Sequence, residues 1–265
     1  MATTPAVNKT FGVSTGKQIR PLKVCIYGTG GIGKSELAAN ISQCGLKVLF
    51  IDADNGSANL DVARAEGVEN FADARALLCS DLPLQYDVTV FDTLTKGQEW
   101  AEAWTLGNIP KINEKTGDKT YVDSIDSYGW GKGYAHLYET FLRLLGDFDA
   151  LGRKGKHVIT VAHECISEVP NPGGENWIRF EPRLQSPPSG KNSIRHRLKE
   201  WTDHLLFVGY DVLAKTDGKE TGSGTRAIYP SELPTHWAKS RTLSSPIVYE
   251  RGSCDLWNLL LEKGV

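Results

Sequence analysis

The chain has 265 residues, of which 40% are hydrophobic and 23% are charged, and its formal net charge is −2. This composition is ordinary for a globular protein, and the length favours one large α/β domain over two small ones. The nearly balanced charge excludes a global attraction to nucleic acid, so any such binding must come from local patches.

Cysteine spacing and hydropathy point to a cytoplasmic protein. The five cysteines are far apart and form no C-x-x-C pair, which indicates reduced thiols rather than a disulfide framework or a zinc site. The first residues lack the apolar core of a signal peptide, and no run approaches the roughly 18 apolar residues of a membrane span. We therefore expect no membrane partner.

The first 21 residues are small and polar and include Pro5 and Pro21. They predict a flexible N-terminal arm. Residues 22–265 are expected to form a single domain.

The stretch VCIYGTGGIGKS, Val24 to Ser35, carries the most specific motif, G-x-x-x-x-G-K-[ST]. It follows a β-type apolar run and precedes a helical pattern. In this motif backbone N–H groups surround phosphate oxygens, Lys34 reaches the outer phosphates and the Ser35 hydroxyl holds magnesium. We expect ATP and Mg²⁺, with nucleotide contacts from Gly28, Thr29, Gly30, Gly31, Ile32, Gly33, Lys34, Ser35 and Glu36.

A second apolar run, residues 47–51, predicts a buried parallel strand that ends at Asp52 and Asp54. Carboxylates at the carboxyl end of a parallel strand lie where ligands bind in open α/β sheets. We predict that Asp54 orients the attacking water, because Asp52 lies nearer the strand and is expected to be held by backbone N–H groups. The alternative is that both aspartates cap the next helix.

Two later strands are predicted to end in functional residues. The apolar run 88–91 precedes Asp92, which we predict to bind magnesium through water. The run 157–162 precedes His163. A histidine at this end of a central strand would face the γ-phosphate, which favours a sensor role over a purely structural one.

Residues 96–134 and 169–190 are predicted to be long loops that carry aromatic and basic side chains among glycines and prolines. Such surfaces suit single-stranded nucleic acid, because bases stack on rings while cations meet phosphates. Trp100 and Trp104, at helical spacing, are interpreted as core residues, and a solvated helix face at 193–200 explains part of the basic charge. The candidate nucleic-acid contacts are Tyr128, Trp130, Lys132, Tyr134, Trp177, Arg179 and Arg183.

The remaining periodicity predicts amphipathic helices over 59–78 and 137–151. After these, short apolar runs separated by turns indicate a β-rich C-terminal part with strands at 204–209, 226–229, 236–241 and 247–250, closed by a helix over 256–263.

The ordered motifs GTGGIGKS, FIDAD, VFDTLT, YGWGKGY, VITVAHE, EWTDHLLF and AKSR resemble the phage-encoded RecA-like ATPases of the single-strand-annealing type. The resemblance implies an α/β fold with a RecA-like P-loop NTPase core, a mostly parallel central sheet flanked by helices and an antiparallel β-rich C-terminal part. It also implies nucleotide contacts from Gly28 to Ser35, magnesium coordination by Ser35 and Asp92, and a sensor at His163. Asp54 stands where RecA has a water-activating glutamate.

In AKSR, Lys239 and Arg241 resemble the cationic pair that related filaments and hexameric helicases insert into a neighbour's active site. The resemblance therefore implies a homo-oligomer with shared active sites. The alternative is an exposed basic strand.

These features predict an ATP- and Mg²⁺-dependent ATPase that binds single-stranded DNA and assists annealing or strand exchange in phage recombination or replication. A single-strand DNA-binding protein is a further candidate partner, and the host cytoplasm is the expected location. The chain also resembles the ParA and MinD partitioning ATPases, nucleotide switches that act through a protein partner, but their signature lysine would fall at Thr29. A small-molecule kinase is a third alternative, without an apparent acceptor-binding lid.

Overall fold

The computed structural model describes residues 12–171, 173–211 and 225–263, so the first 11 residues of the predicted arm lie outside it. The strands are β1 (Lys23–Gly28), β2 (Val48–Asp52), β3 (Ala63–Arg64), β4 (Val88–Asp92), β5 (Lys111–Ile112), β6 (Lys119–Thr120), β7 (His157–Val169), β8 (Trp177–Pro182), β9 (His204–Tyr210), β10 (Arg226–Tyr229), β11 (Lys239–Ser240) and β12 (Ile247–Tyr249). The helices are α1 (Lys34–Ala39), α2 (Phe71–Cys79), α3 (Leu94–Asn108), α4 (Lys132–Arg153), α5 (Ile194–Trp201) and α6 (Asp255–Lys263).

A mostly parallel sheet forms the centre of the described structure. Its parallel strands follow the order β9-β1-β7-β4-β2-β3. Beyond β9 the sheet becomes antiparallel, where β10 and β11 pair with β9 and β12 pairs with β10. This order confirms the predicted RecA-like P-loop core with an antiparallel C-terminal part.

Both faces of the sheet are buried against helices. One face packs on α2, α3, α4 and α5 through residues such as Tyr27, Phe91 and Phe141. The other packs on α1 and α6 through residues such as Ile26, Leu37 and Trp257. Burial on both sides explains why the central strands are continuous apolar runs. Among the described helices, none combines the length and apolar character needed to cross a membrane.

The two predicted loops are largely regular structure. Helix α3 occupies the first part of 96–134, because the Thr93 side chain caps its start by accepting from Lys96 N at 3.2 Å. The β5–β6 hairpin and the first residues of α4 fill much of the rest. In the second region, β7 continues to Val169 and turns back as β8. Trp100 and Trp104 pack against the core, as predicted.

Other boundaries also differ from the sequence-based expectation. The helix predicted over 59–78 begins at Phe71, because the Asn70 side chain accepts from Ala72 N and Asp73 N and so caps it there. Helix α4 is longer than predicted and β11 shorter, while α1 gives way to a 3₁₀ turn at Asn40–Cys44.

Candidate functional site

The carboxyl edge of the parallel sheet brings together the polar residues predicted at four strand ends. Gly28 of β1 lies opposite His163 of β7, and Asp52 of β2 lies opposite Asp92 of β4. The loop between β1 and α1 starts at this same edge. The pairing therefore places the P-loop, the aspartates and the histidine around one site.

The P-loop is held in a compact turn by its own lysine. Lys34 is 7% exposed, and its Nζ donates to the carbonyl oxygens of Gly28 and Thr29, both at 2.8 Å. Burial lowers the pKa of Lys34, and nearby Asp92 opposes that shift. Gly28 must be glycine, because a Cβ there would lie 2.2 Å from the carbonyl oxygen of Val208. The remaining loop residues predicted to contact nucleotide, Gly30, Gly31, Ile32 and Gly33, complete the turn before α1.

Residues from the C-terminal part support this turn and were missed by the sequence analysis. The Tyr249 hydroxyl donates to the Gly33 carbonyl at 2.8 Å, and burial raises the pKa of Tyr249 to about 12. The carboxylate of Glu36, which is also a predicted nucleotide contact, pairs with Arg251, with 3.4 Å between Oε2 and Nε. Nothing near Tyr249 in the chain signals this role, because the contact spans more than 200 residues.

Ser35 and Asp92 fit a magnesium ion. Asp92 is 2% exposed, Ser35 is near enough to oppose the effect of burial on its pKa, and its Oδ2 has no hydrogen-bond partner among the described residues. Burial raises the pKa of Asp92 to about 6. No group of three or more His, Cys, Asp or Glu side chains that could hold a metal forms within the described ranges. A divalent ion here would therefore take most of its ligands from phosphates and water, as Mg²⁺ does.

The two neighbouring aspartates have different surroundings, as predicted. Asp52 accepts from the backbone N–H groups of Gly56 at 3.0 Å and Ser57 at 2.9 Å, so its carboxylate is occupied by the loop. Asp54 instead meets residues from other strand ends. Its Oδ2 accepts from Thr93 Oγ1 at 2.7 Å and lies 3.3 Å from His163 Nε2.

This arrangement keeps Asp54 ionised beside the nucleotide site. The hydrogen bond with His163 lowers the pKa of Asp54, against the opposing effect of burial. The backbone of His163 is held by Thr95, whose Oγ1 accepts from His163 N at 3.1 Å. Thr93 and Thr95 both follow Asp92 in the VFDTLT motif. Their position just after a strand-end aspartate is the feature of the sequence that could have indicated these supporting roles.

Lys239 and Arg241 lie at the amino-terminal end of the parallel strands, opposite the end that carries the P-loop. They flank Ser240, which pairs with His204 at the start of β9, and His204 aligns with Val24 at the start of β1. The structure therefore does not bring these cations to the P-loop of the same chain.

Both cations have partners at that edge. Lys239 Nζ donates to the carbonyl oxygens of Thr202 at 2.7 Å and Lys199 at 2.9 Å, at the end of α5. Arg241 Nε donates to Asp203 Oδ1 at 2.7 Å, and its side chain is 55% exposed.

The first group of candidate nucleic-acid residues divides into core and surface positions. Tyr128 is 3% exposed and its hydroxyl donates to Thr105 O and Ile109 O, so the prediction that it stacks on bases is wrong. Tyr134 packs against the core and donates to Asp126 Oδ1 at 2.8 Å. Trp130 is fully exposed, and exposed Lys132 pairs with Glu114.

The second group also separates. Arg179 pairs with Glu181 at 2.6 Å and Glu232 at 3.0 Å and lies over the ring of Trp237, so it is a structural residue rather than a free phosphate contact. Trp177 is 39% exposed near the tip of the β7–β8 hairpin and stays a candidate. Arg183 lies beside His163, at the nucleotide edge instead of on a separate DNA surface.

Comparisons with known proteins identify the family of this chain. Among solved structures, the chain is similar to the flagellar accessory protein FlaH from Methanocaldococcus jannaschii, at 12% identity and a TM-score of 0.39 over 80% of this chain and 78% of that chain. That likeness is too weak to support a fold, which rests on the strand order. No curated protein matches the chain. The AAA domain family matches residues 20–242, which is most of the chain, and the protein therefore belongs to the AAA domain family of P-loop ATPases.

Proposed function

We propose that the protein is an ATP- and Mg²⁺-dependent ATPase that binds single-stranded DNA and assists annealing or strand exchange in phage recombination or replication. It would work as a homo-oligomer in the host cytoplasm, with a single-strand DNA-binding protein as a further candidate partner.

The nucleotide site supports the hydrolytic part of this proposal. Lys34 and Ser35 of the P-loop would bind phosphate and metal, and Asp92 has a buried oxygen without a partner that could accept from water in a magnesium shell. Magnesium would neutralise charge on the phosphates. Asp54, ionised and hydrogen-bonded, can accept a hydrogen bond from an attacking water and so orient it.

The observation that carries the DNA-binding part is the environment of Trp130. Its side chain is fully exposed on the rim of a cleft of about 1030 Å³ between the β5–β6 hairpin and the start of α4. Burying a tryptophan is favourable, so a fully exposed ring is a candidate contact for a planar ligand such as a base. The charged cleft residues are predominantly basic, with one acidic member: Lys111, Lys115, Lys119, Lys132 and Glu114.

The ammonium groups of two of these lysines have partners within the segment, and those of the other two have no ion-pair partner among the described residues. Lys111 Nζ donates to Ser127 O at 2.8 Å, and Lys132 pairs with Glu114. Lys115 and Lys119 are exposed, and their ammonium groups have no ion-pair partner in the part of the chain that the structure describes. They are the cleft cations best placed to meet phosphates.

Helix α3 connects the nucleotide site directly to the cleft. Helix α3 begins at Leu94, two residues after Asp92, and leads directly into the cleft segment. A DNA strand bound beside Trp130 would contact a segment attached to the helix that starts at the metal site. This connection supports a DNA-dependent ATPase rather than two unrelated sites.

The oligomeric part of the proposal rests on the opposite positions of the P-loop and the AKSR cations. A head-to-tail contact between copies would bring the carboxyl ends of the strands in one copy, with the P-loop, against the amino ends of the strands in its neighbour, with the AKSR cations. In such an assembly Arg241 could reach the neighbour's phosphates.

The proposal is tested by measuring ATP turnover with and without single-stranded DNA across a salt series. We expect stimulation that weakens as salt rises, because phosphate contacts release counterions. Trp130→Ala should lower DNA affinity by about 5- to 100-fold, the range for loss of one base–aromatic stack. Tyr210→Ala, which removes an exposed ring at the end of β9 outside the candidate DNA contacts, serves as the matched control.

A turnover that ignores DNA, together with no salt-dependent DNA binding, would overturn the annealing role. The nucleotide-switch alternative would then be favoured.

A further inference from the structure

The end of strand β8 returns the chain to the nucleotide site. Pro182 pairs with Glu164 in the antiparallel β7–β8 hairpin, and the next residue, Arg183, donates its backbone N–H to His163 O at 2.8 Å. His163 in turn lies opposite Gly28 at the start of the P-loop. The hairpin register therefore brings Arg183 next to the residue predicted to sense the γ-phosphate.

The backbone around Arg183 is fixed on its C-terminal side. Leu184 is 3% exposed in the core, and its carbonyl accepts from Arg195 Nη2 at 3.0 Å. Gln185 N donates to the Gln98 side chain of α3 at 2.6 Å. Arg183 thus starts from a rigid position, which lowers the entropy lost when its side chain binds a ligand.

The guanidinium of Arg183 differs from those of its basic neighbours. Arg179 and Arg195 both pair with the buried carboxylate of Glu181. Arg183 is exposed, and within the described ranges its side chain has no ion pair or hydrogen bond. Its donors are therefore free for a ligand.

A phosphate is a suitable ligand for Arg183. The backbone hydrogen bond to His163, which pairs with Gly28 at the start of the P-loop, puts Arg183 and Lys34 at the same end of the sheet. A polyphosphate bound in the P-loop would bring negative charge towards both cations. The planar guanidinium can also donate two parallel hydrogen bonds to phosphate oxygens, which Lys34 cannot do.

We infer that Arg183 is a phosphate-binding residue of its own chain's nucleotide site and contacts the terminal phosphate of a bound triphosphate. This assignment rests on the proposed ATPase function and replaces the expectation that Arg183 contacts DNA. It differs from the role proposed for Arg241, because Arg183 acts within one chain and needs no neighbour.

The test compares nucleotide affinities by calorimetric titration without DNA, using the full-length protein, Mg²⁺, ADP and the non-hydrolysable β,γ-imido analogue of ATP. In Arg183→Ala we expect affinity for the triphosphate analogue to fall by about 10- to 100-fold, the usual range for a hydrogen bond to a charged group. ADP affinity should stay close to that of the wild type. Arg183→Lys, which keeps the charge without the planar fork, should give an intermediate loss.

Arg197→Ala is the matched control for removal of a surface guanidinium. Its side chain is 43% exposed and pairs only with Glu200 among described residues, at 3.3 Å. Both nucleotide affinities should be unchanged in this variant. If Arg183→Ala is unfolded by circular dichroism, Arg183→Gln takes its place and retains most of the side-chain length.

Three outcomes would count against the inference. Equal losses for ADP and the triphosphate analogue would place Arg183 away from the terminal phosphate, and unchanged affinities would remove it from the site. A loss of DNA affinity alone, measured by fluorescence anisotropy, would return Arg183 to the DNA surface. These results leave the ATPase proposal intact, whereas a wild-type protein that binds neither nucleotide would overturn both.

Discussion

Asp54 and His163 are 109 residues apart in the chain, and their side chains meet with 3.3 Å between Oδ2 and Nε2. Asp54 follows β2 and His163 ends the buried part of β7, and β4 lies between these strands. Thr93, which follows β4, donates to the same carboxylate oxygen. Residues that follow β2 and β4 therefore meet a residue of β7, just past its buried stretch, at one carboxylate beside the P-loop.

We predict that Asp54→Asn lowers ATP turnover by about 100-fold or more, in the range expected for loss of a general base, while triphosphate binding is retained. The amide keeps the size of the side chain and removes the charge that orients water. Steady-state turnover and titration with a non-hydrolysable analogue separate the two effects. Asp52→Asn is a control for loss of a carboxylate held by its own loop. Turnover at the wild-type rate in Asp54→Asn would show that another group orients the water.

We predict that inactive Lys34→Ala and inactive Arg241→Ala chains regain ATPase activity when mixed. With random mixing, about one quarter of head-to-tail interfaces would combine an intact P-loop with an intact Arg241 from the neighbour. Turnover is measured against mixing ratio, with size-exclusion chromatography to check that both variants assemble. If both assemble and no mixture is active, the active sites are not shared.

Mutation of His204 is predicted to flatten the acid dependence of stability. His204 is fully buried, and its Nδ1 lies 2.7 Å from Ser240 Oγ in the AKSR strand. Burial lowers the pKa of His204 to about 4, against the opposing charge of Asp203, whereas the ordinary value is 6.5. The unfolded chain therefore binds a proton below pH 6.5 that the folded protein does not bind until about pH 4.

Stability from this group is present above pH 6.5 and falls as the pH drops towards 4, by about 3 kcal/mol in total. In His204→Gln this contribution is absent. Urea unfolding at pH 7 and pH 4.5 should show a smaller loss of unfolding free energy in the variant than in the wild type. Equal losses would indicate that His204 does not titrate as its burial predicts.

Two glycines of α4 provide a matched pair for stability. A Cβ at Gly133 would lie 2.0 Å from Ile125 O, whereas a Cβ at Gly146 would have no atom within 4 Å. Gly133→Ala should therefore destabilise the protein by more than about 1 kcal/mol, through overpacking. Gly146→Ala should stabilise it by roughly 0.5–1 kcal/mol, because alanine loses less backbone entropy in a helix.

Thermal unfolding of both variants measures the difference. Because Gly133 packs on the segment that leads to Trp130, Gly133→Ala should also weaken DNA binding if the cleft is the DNA site. A Gly133→Ala protein as stable as the wild type would mean that the Ile125–Gly133 contact is easily displaced.

Sequence periodicity predicted the central strands well but not the intervening segments. Runs such as 88–91 are apolar throughout because both faces of the strand are buried, and this is visible in the sequence. The loops expected at 96–134 and 169–190 contain α3 and the β7–β8 hairpin, where polar and aromatic residues on partly exposed elements obscure the periodicity. Tyr128 illustrates the same limit, since a buried tyrosine and an exposed one look alike without tertiary contacts.

The sequence by itself determined the P-loop, the strand-end aspartates and the sensor candidate, because a phosphate-binding turn and the ends of buried strands depend on short stretches of chain. The tertiary structure decided which residues surround that site. Tyr249 supports Gly33, the Arg183 backbone bonds to His163, and Arg241 lies at the opposite end of the strands from the P-loop. Strand order and hairpin register produce all three placements. Such pairings join residues distant in the chain, so their physical cause is packing across the sheet rather than local pattern.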